Sequence, residues 1–378
     1  MNGSFEVVVI GLGIMGSATA YHLGRRGVRV LGLDWLRPPH WVGSSHGRSR
    51  IIREAYYEHP VYVPLVRRAY ELWAELEAES GRRLFLQTGG LNLGPPTGEL
   101  VSGSLLSART HGLAHEILSA EEVRTRFPAL RPDPEMVGVW EPRAGVLFPE
   151  AAVDTLLGLA RRHGARLRFG ERVIDWQVDG SGVRVRSDAA EYRAGRLVIA
   201  AGPWAPKLLP NLPLQVERQV MFWFGPRANP EQFRPGRLPV FIVEYAPGAH
   251  FYGIPDLGEG VKSARHHGGE VVDPDSVDRE VKEPEVEAVR ELLRRYLPDA
   301  DGPLQLAAVC LYTNTPDRHF LIDFHPAYPQ VLILSPCSGH GFKFGPVIGE
   351  VAADLVTAGR SPHDVGFFGL SRLGRVPG

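Results

Sequence analysis

The run "SHGRSRIIREAY" at 45–56 places His46, Arg50 and Arg53 within eight residues of one another. A guanidinium is a planar fork of N–H donors that matches a carboxylate in two parallel bonds, and it is most valuable where water is scarce. Ile51 and Ile52 lie between the two arginines, which argues against a fully solvated charge run. Lysine is a second signal. Lys207, Lys262, Lys282 and Lys343 are the only lysines, beside 38 arginines. Where arginine is used so freely, a retained lysine points to a need for a compact ammonium with a movable pKa. The third signal is Cys310 in "AVCLYTNTPD", one of two cysteines in 378 residues. By itself a free cysteine is most often a small buried core residue.

A phosphate cradle is legible near the N-terminus. "GLGIMG" sets Gly11, Gly13 and Gly16 between an apolar β-branched run and a helical stretch, and Asp34 closes the next run. The first glycine permits the turn, the second lets a pyrophosphate approach the backbone, and the third allows close helix–strand packing. The helix N-terminus then faces the phosphates, and Asp34 is placed to accept the ribose hydroxyls. This pattern predicts dinucleotide binding without distinguishing NAD from FAD.

The elements around these residues follow from periodicity and breakers. Strands are expected at 7–10 and 28–33 around a helix that ends at Gly27. Amphipathic helices are expected at 61–81 and 149–164, the second with proline near its start and glycine at its end. A hairpin at 172–187 turns at Asp179-Gly180, and a strand follows from 196. From 215 to 317 strands dominate, with one helix at 283–297, and the last sixty residues return to strand, glycine loop and helix. Nucleotide-binding elements at both ends predict an α/β fold with two interleaved domains. A discontinuous Rossmann-type cofactor domain takes 1–85, 143–214 and 318–378. A substrate domain on an antiparallel or mixed sheet takes 86–142 and 215–317.

Composition narrows the function classes. With 42 basic and 43 acidic residues the net charge is −1, so nothing points to nucleic acid or an anionic membrane. Two cysteines make no disulfide framework, which favours a reducing, cytoplasmic setting. The N-terminus lacks a basic n-region and breaks at glycines, unlike a signal peptide or a membrane span. The histidines show no zinc spacing, "DADG" at 299–302 lacks the closing glutamate of a calcium loop, and there is no GxSxG elbow. No metal is expected.

The motifs "GLGIMGS", "SHGRSRIIREAY", "LVIAAGPWAPKLL", "CLYTNTPDRHFLIDFHP" and "SGHGFKF" together resemble the monomeric sarcosine oxidase and N-methyltryptophan oxidase family of flavin amine oxidases, nearly end to end. The resemblance implies FAD, a small amino-acid substrate, oxidation of its secondary amine to an imine, and reduction of oxygen to peroxide by a monomer. Cys310 then corresponds to the cysteine joined to the flavin as a thioether, and Cys337 is a packing residue. Arg53 and Lys343 correspond to the carboxylate anchors, Arg50 to a residue against the flavin, and His46 to one orienting hydrogen bonds at the ring. Lys262 matches the lysine that activates oxygen, and His266 the substrate-side histidine, with His267 adjacent as the alternative. Tyr252 and Tyr312 match pocket tyrosines.

FAD contacts implied in the same way are Gly11, Gly13, Ile14, Met15, Gly16, Asp34, Ser45, Val173, Gly202, Trp204, Gly339, Gly341 and Phe342. The helix after Lys343 is expected to aim its N-terminus at the flavin pyrimidine. Arg48 departs from the pattern, standing where relatives carry an acid. Three other readings stay open on the residues: a same-fold enzyme passing electrons to a carrier, an NAD-dependent dehydrogenase, and a flavin-binding protein without turnover. The side chain accepted is not legible.

Overall fold

A computed structural model describes residues 5–374. Residues 1–4 and 375–378, which begin and end the expected cofactor-domain segments and include the start of the N-terminal stretch discussed above, lie outside it. Three sheets organise the described chain. The first holds eight strands, with Phe5–Ile10 running parallel to both Val30–Asp34 and Glu191–Ile199. Its centre is buried on both faces, which explains the unbroken run Val7, Val8, Val9, Ile10 where an exposed sheet would alternate. The helices Ile14–Arg25, Pro149–Arg162 and Gly345–Ala358 pack with it into the largest core cluster.

Glu191–Ile199 forks this sheet. Its first half pairs antiparallel with Gly182–Ser187, while its last residues pair parallel with Tyr328–Ser335. The hairpin of Val173–Asp179 and Gly182–Ser187 closes through Gly180, whose φ of 61° suits glycine. The C-terminal strands thereby join the sheet that the N-terminal strand began.

The second sheet also has eight strands, antiparallel except where Val240–Ala246 meets Gly90–Gly94. Leu304–Asn314 pairs along its length with Gln215–Phe224, setting Cys310 opposite Gln219. The helix Glu283–Tyr296 buries Val286, Val289, Leu293 and Tyr296, a spacing of three and four that puts them on one face. A three-stranded sheet joins Arg50–Ile52, Gly145–Leu147 and Phe85–Gln87, and so sits under the arginine run. No helix among the described residues is long and apolar enough to cross a membrane.

Candidate active site

One cavity of about 470 Å³ is lined from the first glycine loop to the face of the second sheet. At one end stand Gly11, Gly13, Ile14, Met15, Asp34, Val173, Gly202 and Trp204. Gly11 has φ 86°, and a Cβ there would lie 2.5 Å from the Ala200 carbonyl oxygen. A Cβ on Gly16 would lie 1.8 Å from the Gly11 oxygen. Both glycines are therefore required by close backbone approach, though Gly16 itself is behind the wall. The Leu12 N–H donates to Asp34 Oδ2 at 2.7 Å, so this carboxylate holds the glycine loop while lining the cavity. Burial raises its pKa to about 6 against the opposing backbone donors. Ser45 accepts from the Ile14 N–H at 3.0 Å, tying the arginine run to the helix start.

In the middle lie Arg50, Cys310, Gly339, Gly341 and Phe342. The Arg50 guanidinium donates to the Ser44 carbonyl at 3.0 Å and to Cys310 Sγ at 3.5 Å, which puts a positive donor against a buried thiol. The turn carrying Gly341 needs glycine, because a Cβ would sit 1.7 Å from the Pro336 oxygen. Cys337 also touches the cavity, and burial pushes its thiol up to about 11.

At the far end Arg53, Lys343, Tyr252, His266 and Tyr312 converge. Alternation along Val261–His266 sends Lys262, Ala264 and His266 to one face, and Ala264 lies opposite Tyr252 in register. His266 Nδ1 is 3.2 Å from the Tyr312 hydroxyl, and burial keeps the ring neutral, its pKa well below the ordinary value. His267 packs beside it but turns toward Glu217 and is not on the wall, which separates the adjacent pair. Lys343 Nζ donates to the His340 carbonyl at 2.7 Å, and burial, with the Arg53 charge next, lowers its pKa to about 7.

Besides Gly16, two expected residues do not reach the wall. Lys262 is 1% exposed and donates to the carbonyls of Gly47 and Ser49, each at 2.8 Å, with its ammonium 5.0 Å from the Trp223 ring centre. Burial, then the Arg50 charge, lowers its pKa well below the lysine range, while Cys310 and Glu150 oppose this. His46 is fully buried, neither ring nitrogen has a hydrogen-bond partner among the described residues, and burial lowers its pKa to about 3. Arg48 points away and pairs with Glu259, while the Gly47 and Arg48 N–H groups donate to Glu150.

The residue missed from sequence is Glu58. It accepts two bonds of 2.7 Å from Arg53 Nη2 and lines the cavity. Burial alone would raise its pKa, but Arg53, followed by His340, holds it down at about 2. Its only sequence signal was being an acid five residues after Arg53 in the aromatic run "AYYEHP". Gln219 and Met221 also line the cavity, both from the long strand opposite Cys310.

The donor set fits a flavin dinucleotide. A glycine-cramped helix start and a ribose-height acid lie at one end, a thiol beside a guanidinium in the middle, and an orphaned buried imidazole, His46, lies behind the wall. No group of three or more metal-ligating side chains occurs among the described residues. Residues 6–355 match the family described as FAD dependent oxidoreductase. The chain is 46% identical over its full length to all of monomeric sarcosine oxidase from Streptomyces avermitilis. It is 36% identical to N-methyl-L-tryptophan oxidase from Salmonella dublin, over 98% of this chain and 99% of that one. Its fold superposes with a TM-score of 0.84, at 26% identity and 97% coverage of both chains, on NikD, an unusual amino acid oxidase essential for nikkomycin biosynthesis. The glycine cradle, the cavity and these likenesses agree: the chain belongs to the FAD-dependent oxidoreductases, as an amine oxidase related to monomeric sarcosine oxidase and N-methyltryptophan oxidase that takes secondary amines to imines with peroxide as the product.

Proposed function

We propose that the protein oxidises secondary N-alkyl amino acids, sarcosine or bulkier N-methyl relatives, and that Arg53 and Lys343 hold the substrate carboxylate. The observation that carries this is the pairing of Arg53 with Glu58 on the cavity wall, beside Lys343. A guanidinium already engaged with a carboxylate in a buried site is built for that partner, and a substrate carboxylate takes the place of Glu58. Tyr252, Tyr312 and His266 flank the amine. His266, neutral through burial, presents no like charge to an arriving ammonium. The reacting form is the free amine, since a nitrogen lone pair is needed for oxidation at the adjacent C–H bond. Bound FAD supplies the two-electron acceptor that oxygen regenerates.

In this reading Cys310 is the point of thioether attachment, supported by its place on the wall against Arg50. Arg50 steadies the flavin, His46 orients polar groups near the ring, and Lys262 favours electron transfer to oxygen. The cofactor part comprises 1–85, 143–214 and 318–378, and the substrate part 86–142 and 215–317, a division supported by which strands share each sheet. The reading includes a monomer in the cytoplasm. Two cysteines, neither paired, support a reducing setting.

The test is anaerobic flavin reduction by Arg53→Met. Removing one member of a buried, hydrogen-bonded charge pair costs about 2–5 kcal/mol, or roughly 30- to several-thousand-fold. Acidic substrates should weaken by that factor and their neutral amides far less. Equal losses for both would refute carboxylate recognition by Arg53.

A further inference from the structure

Glu141 is 5% exposed, ends the strand Val137–Glu141 of the second sheet, and makes no ion pair among the described residues. Its two oxygens accept instead from consecutive backbone N–H groups, Glu54 at 2.6 Å and Ala55 at 2.5 Å. These belong to the two peptide groups immediately after Arg53. The strand Arg50–Ile52 ends there, and Arg53 Nη1 donates to the Ala55 carbonyl at 3.1 Å. Asn92, from a neighbouring strand, reaches the same carbonyl at 3.4 Å and is itself held by Ser104 at 2.8 Å. Glu141 also shares a small cavity with Arg53 behind the main site. A buried carboxylate is costly unless fully hydrogen-bonded, and a core amide or apolar residue would avoid that cost. A carboxylate, however, gives each N–H group its own oxygen, as here, whereas glutamine must share one carbonyl oxygen between them and brings an NH2 donor into the place of the other.

We propose that Glu141 is a positioning residue for carboxylate recognition: by pinning the two peptide groups after Arg53 it holds the guanidinium at the place in the cavity where the substrate carboxylate docks. The proposal rests on the reading of Arg53 given above. The consequence is selective. A guanidinium displaced by about an ångström loses its bidentate geometry, while the reacting C–H bond and the flavin site, set by other elements, keep theirs.

The experiment uses holoenzyme and measures dissociation constants and limiting rates of anaerobic reduction. The probes are sarcosine, N-methyl-L-leucine and N-methyl-L-tryptophan, each beside its neutral amide. Glu141→Gln should weaken the acids by about ten- to a hundredfold. The amides should weaken by less than about threefold, with similarly small change in limiting rate and flavin content unaltered. In an Arg53→Met background Glu141→Gln should have no further effect on the acids, the signature of action through Arg53. Glu141→Asp, which keeps the acceptor one carbon shorter, serves where Glu141→Gln yields no holoenzyme and should give a smaller loss of the same kind. Equal loss for acids and amides, an unchanged acid preference, or an undiminished effect without Arg53 would overturn the proposal. If the unmutated enzyme itself shows no preference for acids, the reading of Arg53 fails instead.

Discussion

At the scale of single residues the cavity owes its charge states mainly to burial. Glu58 and His340, with pKa values near 2 and 3, bracket the working range from below, and the Tyr56 hydroxyl lies well above it. Lys343, near 7, is the cation of this cluster that titrates between pH 6 and 9, and Glu141 behind Arg53, raised by burial to about 7, is the acid. A bound carboxylate favours the ammonium, so above pH 7 binding must take up a proton and weakens as the pH rises. Propionate, which has an acid and no amine, isolates the effect. Its dissociation constant should rise toward about tenfold per unit above pH 7. Lys343→Met should bind propionate weakly at every pH with no such rise, and a persisting rise would assign the titration to another group. Cys310 makes a second prediction. Acid-precipitated protein should stay yellow, Cys310→Ser should release its flavin on denaturation, and Cys337→Ser should not. Complete release from the unmutated protein would exclude the thioether.

At the scale of elements, the segment 271–281 crosses from the second sheet to the glycine-loop end of the cavity. Asp275 accepts from Arg172 at 2.8 Å and from the Trp204 indole at 2.9 Å, and Lys207 bonds Asp273 at 2.5 Å. Arg279 donates to the Val42 carbonyl at 2.7 Å, fastening the same segment to the loop after Asp34. These ion pairs are largely exposed, so each contributes little and is weakened by salt. In a Cys310→Ser holoenzyme, Asp275→Asn should speed flavin release about two- to fivefold, the change expected from one such pair. It should also blunt the acceleration of release by salt. Release at the parental rate across the salt range would show that the exit lies elsewhere.

At the scale of the whole molecule, Lys262 is a fastener between the two sheet systems as well as a candidate for oxygen chemistry. It sits on Val261–His266, yet both carbonyls it satisfies belong to the arginine run, at Gly47 and Ser49. Lys262→Met removes one of two donors at each carbonyl, since Arg50 Nη1 also donates to Ser49 at 2.9 Å and the Ser49 N–H to Gly47 at 2.7 Å, so the loss is that of two ordinary hydrogen bonds, about 0.5–1.5 kcal/mol each. Thermal stability should therefore fall. A cation a few ångströms from a forming superoxide contributes roughly 4 kcal/mol at 4 Å with an effective dielectric near 20. That charge develops only when oxygen is reduced, so reoxidation should slow by about two to three orders of magnitude while anaerobic reduction changes less. Lost stability with normal reoxidation would leave Lys262 a structural fastener alone.

Much of the cofactor end was legible in the amino-acid order, because its requirements are local. A turn at φ 86°, a backbone-to-backbone contact at Gly16 and an acid closing the next strand each leave a residue type at a set spacing. The partners of Arg53 were not legible. Glu58 pairs with it across five residues through a turn that no periodicity predicts, and Glu141 reaches that turn from 87 positions away on another sheet. Nor did spacing separate His266 from His267, or show that Lys262 stands behind the cavity wall. Those outcomes depend on how the sheets pack, and packing brings together residues whose distance along the chain says nothing of their distance in space.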